Sequence, residues 1–442
     1  MKTRTVLLAL ALVLLARQGN AERLVAGVVE ESDSYWKGNL IHTDYVLRAG
    51  EERIAFTLPG GTIGDETHGT SWSLPLEKGE RYLLYLEEGI PPIAVPETPD
   101  LIAALAGEER DLRAIVEDGL RAAWEAVVVR DPAVPPIHVN VVPSAFAAAG
   151  REQVAYWNVY APGLFRLRTP SASWSFGNGV SDIAGLVDQA RMEEEFGESW
   201  FPDSISLIVY RAENDHIVET DLALNPGRSW SVDEDQATRF GGPLSFRHSV
   251  LAGLGTAWGL ARSSGFAPQD RETVLGLGLP PYNLARLFSD DTAAVRSTFG
   301  GARIRDGLMS AYSVQPGPGR ARQVPITISP AAVAAGGQAQ VGNPVKIENT
   351  GASNLVNPVV EVYLVPRRFS MEGAVQLKRI RVKVTIAPRG LRNVAVGKLE
   401  VPASVAPGTY FLAFRLRASG DQYAPNDFAW SAPNVALTVR AR

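Results

Sequence analysis

The sequence predicts a multidomain chain with three folded parts: a small N-terminal β-barrel, a central α/β domain and a C-terminal β-sandwich. At 442 residues the chain exceeds the usual size of one domain. Apolar and polar residues alternate near both ends, whereas spacings of three and four residues interrupt that alternation in the middle. Proline-rich segments fall between these regions. The predicted boundaries are 22–96, 97–314 with a core at 138–300, a linker at 315–323, and 324–442.

The first 21 residues have the order of a secretory signal peptide. Lys2 and Arg4 precede an uncharged run from Val6 to Ala16, and the small residues Gly19 and Ala21 lie at positions −3 and −1 of a cleavage site after Ala21. The run is too short to span a bilayer as a helix. We therefore expect a secreted or otherwise extracytoplasmic protein without a transmembrane segment. Because the chain has no cysteine, it needs no disulfide and has no thiolate for metal binding or catalysis.

Charge is unevenly distributed along the chain. The formal net charge is −5, yet residues 320–442 hold 16 Lys and Arg against 6 Asp and Glu, a balance of +10. Nucleic acid is not expected as a partner. On a predicted strand, Arg379, Arg381 and Lys383 alternate and therefore share a face. This face predicts contact with an anionic envelope polymer, with the acidic remainder of the chain or a solvated surface as alternatives.

The N-terminal and central parts differ in their predicted elements. Strands at Leu24–Val29, Arg53–Leu58 and Arg81–Leu86 predict the barrel, and Ile90–Pro96 is predicted to be a linker because proline lacks the backbone donor. Helix and strand patterns then alternate, which predicts an α/β unit. The predicted central elements are helices in Asp100–Val129 and near Ser181–Glu195, with strands at Ile137–Val142, Ile205–Tyr210 and His216–Leu224.

Three segments of the central part occur in the order found in one peptidase family. Ala155–Asn158 is similar to a helix that precedes the sheet, Ile217–Asn225 to an edge strand, and Leu287–Gly300 to a closing helix. With these segments, residues 138–300 resemble the matrixin branch of the metzincin zinc peptidases. The resemblance implies a metzincin-like α/β fold with a zinc-binding helix between the last two segments.

The zinc motif of that family, H-E-x-x-H-x-x-G-x-x-H, is eroded in this sequence. In the matching register, Ala252, Thr256 and Arg262 occupy the three ligand positions, and Gly253 occupies that of the general base. Alanine and glycine offer no donor, a threonine hydroxyl is a poor one, and arginine carries a positive charge. We therefore predict that zinc is absent, that no cofactor replaces it, and that the chain is not an enzyme.

Four residues near this motif are candidate ligand contacts. Arg262 suits a carboxylate, although a surface arginine is the alternative. Glu219 and Asp221 lie two apart on a predicted strand and share a face, with solvated or structural acids as the alternative. Trp258 either lines a groove or packs in the core.

The C-terminal strands resemble those of the immunoglobulin-like bacterial adhesion modules called CARDB domains. The resemblance is carried by Val345–Gly351, Val362–Leu364 and Val405–Tyr410. The acidic end of such modules is reduced to Asp421 and Asn426–Asp427, which leaves calcium binding open. Together, these features predict a bacterial, secreted, non-catalytic peptidase homologue that binds or scaffolds a peptide or envelope component. A residual hydrolase and a structural adhesin are the alternatives.

Overall fold

The computed structural model of the chain describes most residues beyond position 21. Strands account for 45% of the chain, helices are few and several separate sheets are present, so the protein is multidomain and β-rich. None of the helices in the described residues is long and apolar enough to span a bilayer. The described residues are 22–88, 90–105, 112–113, 115–117, 119–120, 123, 136–171, 174–200, 204–213, 216–239, 241–257, 285–315 and 322–441.

The chain forms two compact units, each assembled from separated segments. The first unit comprises residues within 1–147, 166–228 and 253–266, and the second comprises 148–165, 229–252 and 267–442. Strands β1–β7 are Arg23–Lys37, Leu40–Ala49, Glu52–Pro59, Gly61–Ile63, Glu66–Thr70, Arg81–Glu87 and Ile90–Pro96. Strands β8–β12 are Ile137–Val141, Phe165–Leu167, Ser181–Leu186, Ser206–Glu213 and His216–Leu224.

A five-stranded sheet in the first unit has the order β3-β2-β1-β6-β7. The long strand β1 pairs antiparallel with β6 through Arg23–Val28 and with β2 from Val28 to Lys37. Alternate residues face a core that includes Val29, Tyr45 and Leu84. The strands predicted at 24–29, 53–58 and 81–86 are therefore confirmed.

The predicted linker at 90–96 is wrong, because these residues form strand β7. Residues of β7 pair antiparallel with β6 at one end of the sheet order. An edge strand needs backbone donors on only one side, so prolines are tolerated when their nitrogens face away from the neighbouring strand. Ala94 and Val95 are fully buried. Burial of this segment against the sheet therefore outweighs the tendency of its prolines to disfavour a strand.

The second sheet, in the order β4-β5-β11-β12-β10-β8-β9, carries the candidate site. Strands β8, β10 and β12 run parallel to one another, whereas β11 is antiparallel to β12. The strands predicted at 137–142, 205–210 and 216–224 are confirmed. Because β12 lies between β11 and β10, the prediction that it is an edge strand is wrong.

The helix predicted at 181–195 is wrong in its first half. Residues Ser181–Leu186 form the buried strand β10, and only Gln189–Phe196 is helical. The helix begins after Asp188, whose side chain accepts from the Arg191 N–H, and ends at Gly197 with a φ of 65°. Parallel strands buried on both faces lack the polar alternation that marks an exposed strand.

Six helices are assigned in the described residues. Helices α1–α6 are Pro99–Leu105, Ala147–Tyr160, Gln189–Phe196, Glu234–Ala237, Phe246–Ala257 and Ser289–Phe299. Helix α2 contains the predicted segment 155–158 but follows β8, so it does not precede the sheet as predicted. The closing helix predicted at 287–300 is confirmed as α6. In the second unit, the buried Trp157 indole of α2 donates to the Leu251 carbonyl of α5 at 3.0 Å.

The remaining strands, β13–β30, all belong to the second unit. Their largest sheet has the order β19-β30-β28-β23-β24, with β29 paired to β28. Buried side chains such as Val362, Leu412 and Phe414 contribute to its core. The predicted strand that carries Arg379, Arg381 and Lys383 ends at Arg381, in β24. The strands are Trp230–Ser231, Leu244–Ser245, Gly307–Ser310, Tyr312–Gln315, Arg322–Pro325, Thr327–Ser329, Ala332–Ala334, Gln338–Gly342, Val345–Asn349, Leu355–Val356, Val359–Val365, Val375–Arg381, Thr385–Ile386, Leu391–Val394, Gly397–Glu400, Gly408–Arg417, Phe428–Trp430 and Ala436–Arg440.

Candidate functional site

Helix α5 carries Ala252, Gly253 and Thr256, residues that the predicted register compares with the zinc motif. Ala252 and Thr256 are separated by one helical turn, so the helix places them on one face, as the family places its first two ligands. Ala252 is half-buried and Thr256 is buried. The other predicted contacts of this segment, Trp258 and Arg262, lie outside the described residues. The helix backbone is therefore present at these positions, without the imidazole donors that zinc requires.

Gly253, which the predicted register places at the position of the general base, is in close contact with the sheet. A Cβ at this residue would lie 2.7 Å from Cδ2 and 3.0 Å from Cδ1 of Leu222 on β12. Leu222 is itself buried. A cavity of about 10 Å³ remains beside Gly253 and Thr220, which is room for one water at most. The space that a glutamate side chain would need is therefore filled by the core of the first unit.

Glu219 and Asp221 lie on the opposite face of β12 from this contact. Side chains alternate along a strand, and Thr220 and Leu222 face α5: the Thr220 hydroxyl donates to the Ala257 carbonyl at 3.3 Å. Glu219 and Asp221 are 0% and 1% exposed. Of the alternative that they are solvated or structural acids, burial favours structural acids, and the sheet separates them from helix α5.

The carboxylate of Glu219 is held by a ring of donors. The backbone N–H groups of Gly177 and Gly179 donate to its two oxygens at 2.8 and 2.9 Å, and Asn178 donates at 3.2 Å. Nε of Arg211 donates at 3.3 Å. Gly177 and Gly179 have φ values of 83° and 74°, which glycine adopts without strain. Burial raises the pKa of Glu219, although these donors favour its ionised form. Glu219 thus orders the loop before β10.

Asp221 and Asp182 extend this network between β12 and β10. Oδ1 of Asp221 accepts from the Asp182 backbone N–H at 2.8 Å, and the Asp182 carboxylate accepts from Asn140 at 2.6 Å and Asn178 at 3.1 Å. Burial raises the pKa of Asp182 to about 6. Burial and the neighbouring carboxylates Glu219 and Asp182 raise the pKa of Asp221 well above its ordinary value, while the Trp174 indole opposes the shift.

The sequence did not predict that Asp182, Asn140 and Asn178 belong to this group. Its only signal was the turn Gly177-Asn178-Gly179, whose two glycines indicate a backbone that presents several N–H groups to one acceptor. Chemically, the network joins three strands through charge-assisted hydrogen bonds. Among the described residues, no group of three or more His, Asp or Glu side chains is arranged to hold a metal.

A second buried acidic group lies in the second unit. Oδ2 of Asp306 accepts from the Tyr160 hydroxyl at 2.6 Å and from Nδ2 of Asn426 at 2.9 Å, and it also accepts from the Thr350 hydroxyl. Burial and the neighbouring carboxylates raise the pKa of Asp421 to about 7 and that of Asp427 to about 8. In the acidic end noted in the sequence, burial and the neighbouring carboxylates thus disfavour ionisation of Asp421 and Asp427.

The predicted basic face is present in part. Arg379 and Arg381 are exposed on β24, whereas Lys383 follows the end of that strand. Glu361, on the neighbouring strand, lies 3.9 Å from Nε of Arg379 and 3.2 Å from Nε of Arg417. One carboxylate therefore serves two guanidinium groups, which leaves the face with excess positive charge.

No protein-family model matches the sequence, and no curated protein matches it. Solved structures show weak similarity. The sporulation control protein Spo0M from Bacillus subtilis is 12% identical, with a TM-score of 0.18 over 26% of this chain and 48% of its own. The DNA glycosylase AlkC from Pseudomonas fluorescens is 13% identical, with a TM-score of 0.18 over 34% of each chain. A Niemann-Pick type C2 protein from the Japanese carpenter ant is 10% identical, with a TM-score of 0.20 over 30% of this chain and 93% of its own. The chain thus spans about half of Spo0M and a third of AlkC.

Proposed function

We propose that the chain is an exported pseudopeptidase, a non-catalytic homologue of matrixin-type metallopeptidases that binds or scaffolds a peptide or an envelope component. In this proposal the five-stranded sheet belongs to a barrel-like domain, the sheet containing β12 to a metzincin-like domain, and the C-terminal strands to an immunoglobulin-like, CARDB-like sandwich. The parallel strands β8, β10 and β12, with helices between them in the chain, support the middle assignment.

The observation that carries the proposal is the contact between Gly253 and Leu222. If only a ligand side chain had been lost, its position would be empty. Here the proposed position of the general base, Gly253, lies against the buried Leu222. A Cβ at Gly253 would lie 2.7 Å from Cδ2 of Leu222. A water-activating carboxylate cannot be accommodated there without displacing the leucine. The helix at this point packs against the sheet instead of presenting a base.

A residual hydrolase is less well supported. The two acids predicted as ligand contacts, Glu219 and Asp221, are buried and lie on the other face of the sheet from α5. Glu219 is also occupied by three backbone N–H groups and Arg211. Acid–base chemistry needs a carboxyl group within hydrogen-bonding reach of a substrate.

The basic face on β24 is the best-supported surface for an anionic partner. Strand β12 cannot accept an added peptide strand, because both of its edges are already paired. In contrast, Arg379 and Arg381 are exposed, and Glu361, which lies 3.9 Å from Nε of Arg379, is also paired with Arg417. An anionic envelope polymer would bind the excess positive charge of this face without any rearrangement of the strands.

Metal content tests the loss of catalysis. The full chain is equilibrated with zinc, desalted, and measured for bound zinc and for cleavage of a peptide library. We expect no bound zinc and no peptide cleavage, because the side chains that would bind zinc are missing. The variant Ala252→His, Thr256→His, Arg262→His restores only the three ligands and serves as the positive control for zinc binding. About one tightly held zinc per unaltered chain, as such sites require, would overturn the proposal.

Salt-dependent binding tests the partner. The full chain is passed over an immobilised anionic polysaccharide, and we expect retention that falls steeply as the Debye length shortens from about 10 Å at 0.1 M to about 3 Å at 1 M. Arg379→Gln with Arg381→Gln should weaken retention. The matched control, Arg392→Gln with Lys398→Gln, removes the same charge from exposed residues on other strands. Equal loss in both variants would show that net charge alone is responsible.

A further inference from the structure

The second unit contains a small cavity that plays no part in the proposed function. It is bordered by β15, β16 and β29 together with Phe288, which precedes helix α6. Its volume is about 30 Å³, whereas a cavity that holds a single water has a volume of about 10–15 Å³. The cavity therefore has room for the head of a very small molecule and excludes a sugar ring or a peptide side chain of ordinary size.

Two buried donors at this cavity have no acceptor. Nε of Arg286 and Nε1 of Trp430 are both shielded from solvent, and neither has a hydrogen-bond partner in the described part of the chain. Nη1 of Arg286 donates to the Ala285 carbonyl at 3.0 Å and lies 3.4 Å from a Glu234 oxygen. A buried N–H that lacks an acceptor costs stability, more so when the donor is charged. The cavity thus requires an acceptor atom that the protein does not supply.

The unpartnered Nε of Arg286 belongs to a charged group, which favours an anionic acceptor over a neutral one. Arg286 approaches Glu234, while Asp235 is shared between Arg368 and the exposed Arg239. Of these three arginines, Arg286 and Arg368 line the cavity. The buried Arg368 also donates to the Ser431 carbonyl at 2.9 Å and to the Thr238 hydroxyl at 3.0 Å, so its orientation is fixed.

The rest of the wall is mostly apolar, with Thr238, Ser310 and Arg368 as its polar members. Phe288, Leu308, Met309 and Tyr312 line it. A ligand that fits must then combine acceptor oxygens at one end with one or two carbon atoms at the other. Inorganic phosphate is too large and too strongly hydrated for such a wall, whereas an acetate-sized carboxylate satisfies both ends.

We propose that this cavity binds the carboxylate of a small organic acid, which accepts from Nε of Arg286 and Nε1 of Trp430 and places its methyl or methylene group against Phe288 and Met309. The ligand is either a free short-chain acid or the carboxylate end of a longer molecule that reaches the cavity from solvent. The shared chemistry is the carboxylate, and the experiment separates the two sources.

Binding is measured on the full chain by calorimetry and by the thermal midpoint of unfolding, at constant ionic strength balanced with chloride. Acetate and propionate should bind saturably and raise the midpoint. Acetamide, which has the same shape without the charge, should bind at least roughly tenfold more weakly. N-acetylglycine represents a carboxylate at a chain end: binding tighter than acetate identifies a longer ligand, and weaker binding identifies the free acid.

Two variants assign the contacts. Trp430→Phe keeps an aromatic ring and removes only the indole donor, and we expect it to weaken acetate binding about tenfold. Arg286→Lys keeps the charge and removes Nε, with a similar effect. Trp200→Phe is the matched control, because its indole donates to the Val187 carbonyl at 2.7 Å in the first unit. Absence of saturable acetate binding, or unchanged affinity in both Trp430→Phe and Arg286→Lys, overturns the proposal and leaves water as the acceptor.

Discussion

Replacing Gly253 by alanine tests whether helix α5 lies as close to the sheet as the structure indicates. In a helix interior without tertiary contacts, alanine is more stable than glycine by about 1 kcal/mol. Here the new Cβ would meet Leu222 at 2.7 Å, and overpacking of a core costs about 1–3 kcal/mol. The two effects together predict that Gly253→Ala lowers the free energy of unfolding by about 1 kcal/mol.

A double-mutant cycle with Leu222→Ala isolates the contact. Leu222→Ala alone should cost about 2–5 kcal/mol, because it opens a cavity in the core. In the double variant the methyl group introduced by Gly253→Ala occupies part of that space, so the combined loss should be smaller than the sum by about 1–3 kcal/mol. Urea denaturation followed by tryptophan fluorescence measures all four proteins. Ala252→Gly, one residue away, controls for helix propensity and should cost about 1 kcal/mol.

Two results together would refute the contact between Gly253 and Leu222. If Gly253→Ala stabilises the protein by about 1 kcal/mol, as propensity alone predicts, and the cycle shows no coupling, Gly253 does not touch Leu222. The register that places the lost general base at Gly253 would then lose its structural support.

Two further predictions concern the buried acids. Because the folded-state pKa of Asp427 is raised from 3.8 to about 8, the free energy of unfolding should fall as the pH rises from about 4 to 8, by at most about 1.4 kcal/mol per unit. Urea titrations at about pH 5 and about pH 9, on either side of the folded-state pKa, measure this change in the free energy of unfolding. Asp427→Asn should make the change smaller, and an unchanged value would contradict the raised pKa of Asp427. Glu219→Gln should cost about 3 kcal/mol, because Arg211 loses its buried charged partner. Glu213→Gln, which removes an exposed partner of Arg211, should cost under about 1 kcal/mol, and equal losses would show that Glu219 has no special role.

Local sequence patterns were sufficient for elements whose own residues carry the signal. Strands β12 and β23 are runs rich in β-branched residues, and helix α6 has acidic residues in its first turn. The patterns failed where the amino-acid composition of a segment disfavours the strand that its neighbours in the fold stabilise. Proline in β7 and the Asp and Gly of β10 argue against strands, and both segments are nevertheless strands because neighbouring strands supply their hydrogen bonds.

By itself, the sequence determined that Ala252, Gly253 and Thr256 carry no imidazole, thiolate or carboxylate, the donors that zinc requires. That these positions correspond to a zinc site stays a prediction. Only the tertiary structure decided where Glu219 and Asp221 point. The order of strands in a sheet depends on contacts between distant segments, and β12 has a strand on each side, so its acids are buried in a network with Asp182. The same packing places Leu222 against Gly253, because alternate residues of one strand face opposite sides of the sheet.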